Sequence, residues 1–179
     1  MGYYKGRGLR GSTLEELINL TNEKYMMNNL ALIQKIPTPI KPIEIDNATR
    51  HITLAYFEQK STVDYIGVVQ SVPVCFDAKE CSATSFALSN VHEHQIEFMK
   101  RFEKQNGVAF LLIHFTKLDV YYYLRFEKLL EYYERAVKGG RKSISFEELD
   151  PKYQIDEHST VFIHYLEQLA LDLKERENN

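Results

Sequence analysis

Ser61-Thr62-Val63-Asp64-Tyr65-Ile66-Gly67-Val68-Val69-Gln70-Ser71-Val72-Pro73-Val74-Cys75-Phe76-Asp77-Ala78-Lys79-Glu80 reads as two strands, 62–69 and 74–80, joined around Gln70-Ser71-Val72-Pro73. Side chains two apart on a strand share a face, so Asp77 and Lys79 point one way while Phe76 and Ala78 point the other. If the strands form a hairpin with Gln70-Ser71 at its tip, Asp64 stands directly opposite Asp77, with Cβ atoms about 5 Å apart. Any symmetric loop of even length keeps that register, whereas a three-residue loop shifts it by one.

Two carboxylates opposed on a sheet repel, and a divalent cation removes the penalty. Mg²⁺ takes oxygen ligands, commonly one or two carboxylates plus waters and a phosphate. It can activate a bound water and stabilise charge on a phosphoryl oxygen. Lys79 beside the pair can hold an attacking water and offset charge on the phosphate. Two acids and a lysine on adjacent strands therefore suit phosphodiester hydrolysis, with Asp64, Asp77 and Lys79 as the catalytic candidates. The bare pattern also fits a solvated strand face paired as salt bridges. Two features favour the site. The opposite face, Val74, Phe76 and Ala78, is apolar, and Gln95 shares a helical stripe with Val91, Phe98 and Phe102. A polar side chain on a core-facing stripe needs a partner, which a metal water, a phosphate or the backbone could supply.

Outward from this unit, residues 1–11 hold four glycines and three basic residues and read as a flexible basic arm, with 12–179 as one nuclease domain. Ser12-x-x-Glu15 and Thr13-x-x-Glu16 are overlapping capping boxes that open a helix, which stops at Asn28-Asn29. Leu30 to Ile36 has strand length. Pro37, Pro39 and Pro42 interrupt the next stretch, so 37–50 should be an extended excursion outside the sheet interior, before a strand at 51–57. A helix is expected over Val91–Lys104. Gly107–Phe115 suits a strand covered on both faces, and Val120–Leu124 a neighbour. Helical spacing returns from Phe126 to Gly139-Gly140 and again from Thr160 to about Glu175. The order predicts an α/β fold with a mixed sheet covered by helices.

The chain has 179 residues, 44% of them hydrophobic, enough for one packed core. No apolar run approaches the roughly 18–20 residues of a membrane span. The start has no apolar signal core, so a cytoplasmic protein with no membrane partner is expected. Cys75 and Cys81 exclude a disulfide scaffold and read as reduced thiols. The net charge of −3 gives nucleic-acid binding no support in bulk, and basic residues cluster only locally. Lys5, Arg7 and Arg10 lie in the arm, and Lys138, Arg141 and Lys142 flank Gly139-Gly140. His92 and His94, two apart on a helix, should face different directions. His114 and Tyr121-Tyr122-Tyr123 read as sheet packing.

Several blocks taken in order resemble the RecU-type Holliday junction resolvases of bacteria and their phages. They are Arg10-Gly11-x-Thr13-Leu14-Glu15, Pro37-Thr38-Pro39, Ala55-Tyr56-Phe57, Ser61-Thr62-x-Asp64-Tyr65-x-Gly67, Phe76-x-Ala78-Lys79-Glu80, Thr84-Ser85-Phe86, His92-x-His94-Gln95-Ile96-Glu97-x-Met99 and Gly140-Arg141-Lys142-Ser143-Ile144. The resemblance runs from about Arg10 to Ile155. It implies a restriction-endonuclease-like fold of the acid-acid-lysine nuclease superfamily, and a homodimer that nicks opposed strands of a four-way junction with Mg²⁺ or Mn²⁺. It places metal ligands on Thr62, Asp64, Asp77 and Gln95 and the transition-state lysine on Lys79. The excursion at about 37–55 matches the family's projecting stalk, thought to enter the junction centre. Arg7, Arg10, Lys41, Arg50, Arg141 and Lys142 are the DNA-contact candidates. An interaction with the strand-exchange recombinase is also implied. The chain departs from the family in having Asp77 where Glu is usual, a stalk a few residues shorter and a short arm. The alternatives are a nuclease of this fold acting on other branched DNA, and a weakly cleaving or non-cleaving branched-DNA protein that modulates the recombinase.

Overall fold

The computed structural model describes residues 13–58, 62–156 and 161–178. Helix α1 (Leu14–Met27) starts at the second of the two expected capping boxes: the Thr13 hydroxyl accepts the Glu16 N–H, and the Glu16 carboxylate accepts the Thr13 N–H at 2.9 Å. Ser12 lies outside the described residues. Asn29, at φ 53°, takes the left-handed conformation that ends the helix.

Strands β1 (Leu32–Lys35), β2 (Ile40–Asp46), β3 (His51–Phe57), β4 (Tyr65–Val69) and β5 (Val72–Cys81) come next. β6 (Ser85–Ala87) and a 3₁₀ turn (Leu88–Asn90) lead into α2 (Glu93–Glu103). Then come β7 (Val108–Phe115), β8 (Val120–Arg125), α3 (Phe126–Val137), β9 (Ser143–Ser145), β10 (Gln154–Ile155) and α4 (Leu166–Glu177). The central sheet has the order β1-β4-β5-β7-β8-β10. Only β5 and β7 pair in parallel, through the α2 crossover; the other neighbours are antiparallel. The expected mixed sheet flanked by helices is therefore present.

Gln70 and Ser71 both take positive φ, 45° and 77°, and form a two-residue hairpin tip whose twist suits the flanking strands. The pairs Val69↔Val72, Gly67↔Val74 and Tyr65↔Phe76 fix the register, which brings Asp64 opposite Asp77 one step further on, as the two-residue loop predicts. One sheet face carries a row of rings. Phe76 stacks between Tyr65 (4.8 Å) and Phe110 (4.7 Å), and Phe110 on Tyr123 (4.2 Å). Tyr165, at the start of α4, packs on Phe76 and Phe110, and Tyr65 donates to Asn19 of α1. α1 and α4 thus cover this face, leaving the side chains of Asp77 and Lys79 to the other, where α2 lies. Burying Phe76 completely is worth about 3–5 kcal/mol relative to alanine.

Several expected boundaries move. The first strand of the central hairpin begins at Tyr65 rather than 62, so Thr62 and Val63 are coil and Thr62 shares no strand face with Asp64. The excursion is not merely extended: β2 and β3 pair as a separate two-stranded sheet, with a bulge between Pro42 and Glu44. Its order comes from this ladder and from the Asp46 side chain, which accepts the Ala48 N–H and the Thr49 hydroxyl across the tip. Every residue of the hairpin is exposed or half-buried. α2 starts at Glu93, not Val91. α4 runs Leu166–Glu177 rather than from 160, because residues 161–163 bend to bring Ile163 and Tyr165 into the core.

A second buried element was not legible beforehand. Asp172, wholly buried on α4, accepts from Tyr123 Oη (3.0 Å), Arg125 Nε (2.7 Å) and Arg176 Nε (2.8 Å). Arg176 continues to Glu103 at the end of α2, and Glu103 accepts the Ala109 N–H at the start of β7. This chain of charges fastens α4 to the sheet and to the far end of α2.

Candidate active site

Asp64 and Asp77 each lean on the other's backbone. Asp77 Oδ1 accepts the Asp64 N–H at 3.0 Å, and Asp64 Oδ2 accepts the Ala78 N–H at 2.9 Å. This exchange results from the hairpin register and holds the two acids side by side at the end of β4. Asp77 is wholly buried, and its Oδ2 takes two donors: the Lys79 ammonium, as an ion pair, and Gln95 Nε2 at 2.7 Å. Lys79 reaches Asp77 because the two are separated by one residue on β5. Gln95 reaches it from the first turn of α2, and its Oε1 accepts the His92 N–H at 3.0 Å. Gln95 therefore has the partner that its core-facing position requires, and has one on each side, a backbone N–H and a carboxylate.

The Asp64 carboxyl is pushed up to about 6, first by burial and then by the charge of Asp77; the Ala78 N–H and Lys79 work the other way. Burial and the adjoining Asp77 carboxylate both favour the neutral acid, and a cation bound between the two would favour the ionised one. Among the described residues no three His, Cys, Asp or Glu side chains gather to hold a metal. A divalent cation held by Asp64 and Asp77 would draw any further protein oxygens from neutral groups, and the Gln95 amide oxygen and the Thr62 hydroxyl are the candidates. Two carboxylates with neutral oxygens form a hard donor set that fits Mg²⁺ or Mn²⁺ rather than a softer metal. Asp64, Asp77, Lys79 and Gln95 are brought together. Thr62, half-buried, lies two residues before Asp64 in coil.

The excursion is rooted at this site. The Ile36 N–H donates to the Asp64 carbonyl at 2.8 Å, so the chain leaves the sheet beside Asp64, and the Glu58 N–H donates to the Pro39 carbonyl at 3.0 Å, which closes the base of the hairpin. Lys41 is near the root of the hairpin. Arg50 is at its tip with φ 58°, and both are exposed. Arg141 and Lys142 adjoin β9, which pairs with β6 on the connection from β5 to α2. Arg141 is partly engaged by Ser143, Ser85 and, at 3.7 Å, Glu148, whereas Lys142 is exposed and its carbonyl accepts the Leu88 N–H. Arg7 and Arg10 lie outside the described residues.

His92 and His94 correct another expectation. Their rings stack at 5.4 Å with 13° between planes, because His92 caps α2 with extended backbone and is not within the helix. Sequence reasoning also missed Glu80, the residue after Lys79, which accepts the Leu14 N–H at 2.8 Å and ties the start of α1 to β5. A carboxylate there also complements the positive end of the helix dipole. His114 meets Asp119 and Tyr121, Tyr122 and Tyr123 are buried in β8, and Cys75 and Cys81 are free and buried, as expected. Among the described residues no helix is long and apolar enough to cross a membrane.

The family model for recombination protein U, RecU, matches residues 9–171. Similar curated proteins include the Holliday junction resolvase RecU of Bacillus cereus (strain B4264), 43% identical over 145 residues that make up 79% of this chain and 72% of that one. The protein of the same name from Bacillus mycoides (strain KBAB4) is 41% identical over 156 residues, 85% of this chain and 75% of its own. Among solved structures, the Holliday junction resolvase Hjc of Archaeoglobus fulgidus aligns with 63% of this chain and 74% of its own at a TM-score of 0.37 and 4% identity, a likeness too slight to bear on the fold. With a matching model over nearly its whole length and relatives of this similarity, the chain belongs to the RecU family.

Proposed function

We propose that this chain is a Mg²⁺- or Mn²⁺-dependent endonuclease that resolves four-way DNA junctions, acting as a homodimer whose two sites nick opposed strands. The observation that carries the reading is the convergence of Asp64, Asp77, Lys79 and Gln95 on one sheet face, at the root of an exposed hairpin. A bound divalent cation supplies Lewis-acid polarisation of the scissile phosphate and a water of lowered pKa. Asp64 and Asp77 provide the charged oxygens for it, with Gln95 and Thr62 as neutral ones. Lys79, on a stem long enough to leave Asp77, offsets charge that develops on the phosphate. Lys41, Arg50, Arg141 and Lys142 contact the DNA backbone. One copy carries one acid pair, so two cuts related by symmetry call for two copies.

The test is incubation of a synthetic four-way junction, a matched duplex and a flap with the full chain, with Mg²⁺ or with chelator. Paired nicks in the junction that require the metal are expected. Equal cutting of all three DNAs would remove the junction from the reading, and cutting in chelator would remove the metal. In the same assay, replacing the hairpin 40–57 by a two-residue turn should weaken junction binding about tenfold or more relative to duplex binding, since only a junction has an opening to receive it. The whole hairpin must go, because removing β2 alone strands β3 without its partner. Pro39 O and Glu58 N, 3.0 Å apart, make the closure short. Equal weakening on both DNAs would reduce the hairpin to a non-specific contact.

The raised Asp64 pKa gives a pH test. The folded protein holds this proton more tightly than the unfolded chain, so its contribution to stability is complete below about pH 4 and is lost as pH rises through about 6. A cation binds the ionised form and acts in the opposite direction. Millimolar Mg²⁺ should therefore raise Tm more at about pH 7.5 than at about pH 5, and Asp64→Asn should abolish the difference. Equal rises at both pH values in the wild type would place Mg²⁺ binding away from Asp64.

A further inference from the structure

We propose that Gln95 works in two positions: it latches the first turn of α2 in the arrangement seen here, and becomes an oxygen ligand of the metal only after its amide has turned over. The inference rests on the acid pair being a Mg²⁺ site. Gln95 is 6% exposed. Its Oε1 accepts the His92 N–H and its Nε2 donates to Asp77 Oδ2, and these partners fix the amide's orientation, because an N–H must face an oxygen and a carboxylate must face a donor. The side that Gln95 presents to Asp77 is therefore an NH₂ group, whereas a hard cation takes oxygen. The Lys79 ammonium sits on the same Asp77 oxygen.

A cation entering between Asp64 and Asp77 thus meets two donors. Lys79 is partly exposed and can swing aside on its four-carbon stem. Gln95 is packed in, and the movement open to it is rotation about its terminal bond. That rotation presents Oε1 toward Asp77 and sets Nε2 against the His92 N–H, donor to donor. The His92 N–H loses its side-chain acceptor, while the His92 carbonyl still accepts the Gln95 and Ile96 N–H groups, so the loosening falls before the helix and not within it. The loosened segment is short: it runs from His92 back through the 3₁₀ turn to Leu88, whose N–H is held by the Lys142 carbonyl at 3.1 Å.

The experiment measures hydrogen exchange of the His92 backbone amide and the side-chain NH₂ signals of Gln95 in the ¹⁵N-labelled full chain, in chelator and in saturating Mg²⁺. With Mg²⁺ the His92 N–H should exchange about fivefold faster, the change that loss of a capping bond of ordinary strength implies, and the Gln95 signals should move. In Gln95→Glu, one carboxylate oxygen can keep the His92 N–H while the other meets the metal, so Mg²⁺ should leave the His92 exchange rate unchanged. An unchanged wild-type His92 amide, with Asp64 and Ala78 amides that shift on Mg²⁺ addition, would leave the metal site standing and overturn the two-position Gln95. Faster exchange in Gln95→Glu as well would overturn it, since the latch would then be opening without any turnover. No Mg²⁺-dependent shift at Asp64, Asp77 or Ala78 would overturn the metal site itself, and this inference with it.

Discussion

Asp77→Asn should lower junction cleavage by about a thousandfold and leave junction binding within about twofold of wild type, because on the proposed function it removes a metal-binding charge without touching the surface that would meet DNA. The fold should tolerate the change. An Asn Oδ1 can still accept the Asp64 N–H, and Lys79, no longer paired, can extend toward solvent. The new Nδ2 meets Gln95 Nε2, and this buried mismatch costs about 1–3 kcal/mol unless the Gln95 amide turns over. Loss of the Asp77 charge also removes the second cause of the raised Asp64 pKa. Gel shift and cleavage on one sample read both halves of the expectation. Cleavage that survives would put the metal elsewhere, and binding lost in parallel would show that Asp77 supports the DNA surface.

Asp172→Ala should destabilise the protein by about 3–5 kcal/mol, the cost of breaking a buried charge pair from one side. Arg125, 5% exposed, keeps Glu175 and Glu127 but loses its most buried partner. Tyr123 loses the acceptor for its hydroxyl, and Arg176 keeps only Glu103. For a chain of this length Tm should fall by about 6–20 °C. Urea unfolding gives the free energy directly, with Asp172→Asn expected to lie between alanine and wild type. A loss below about 1 kcal/mol would mean that the Arg125 and Arg176 guanidiniums are satisfied without Asp172, and that packing of Tyr165 and Leu169 alone fastens α4.

The amino-acid sequence by itself determined the two strands of the Asp64–Asp77 hairpin and, given a two-residue tip, their register. Strand side chains alternate with a period of two, and a two-residue loop permits one register, so the separations of Asp64, Asp77 and Lys79 along the chain already implied their meeting. Capping residues likewise marked α1, and the apolar run 108–115 marked the central strand β7. Only the tertiary structure decided what depends on contacts between distant segments. The proline-broken excursion became an ordered hairpin because β2 found β3 as a partner, and its root came to lie beside Asp64 through the Ile36–Asp64 backbone bond. His92 left the helix and stacked on His94 once Gln95 engaged its N–H. The Asp172 cluster joins residues from α2, β8 and α4, and its one local sign was the i, i+4 spacing of Asp172 and Arg176. Local periodicity fixes which face a side chain takes within its own element. Which partner waits on that face is set by how the elements pack, and no pattern within one element encodes it.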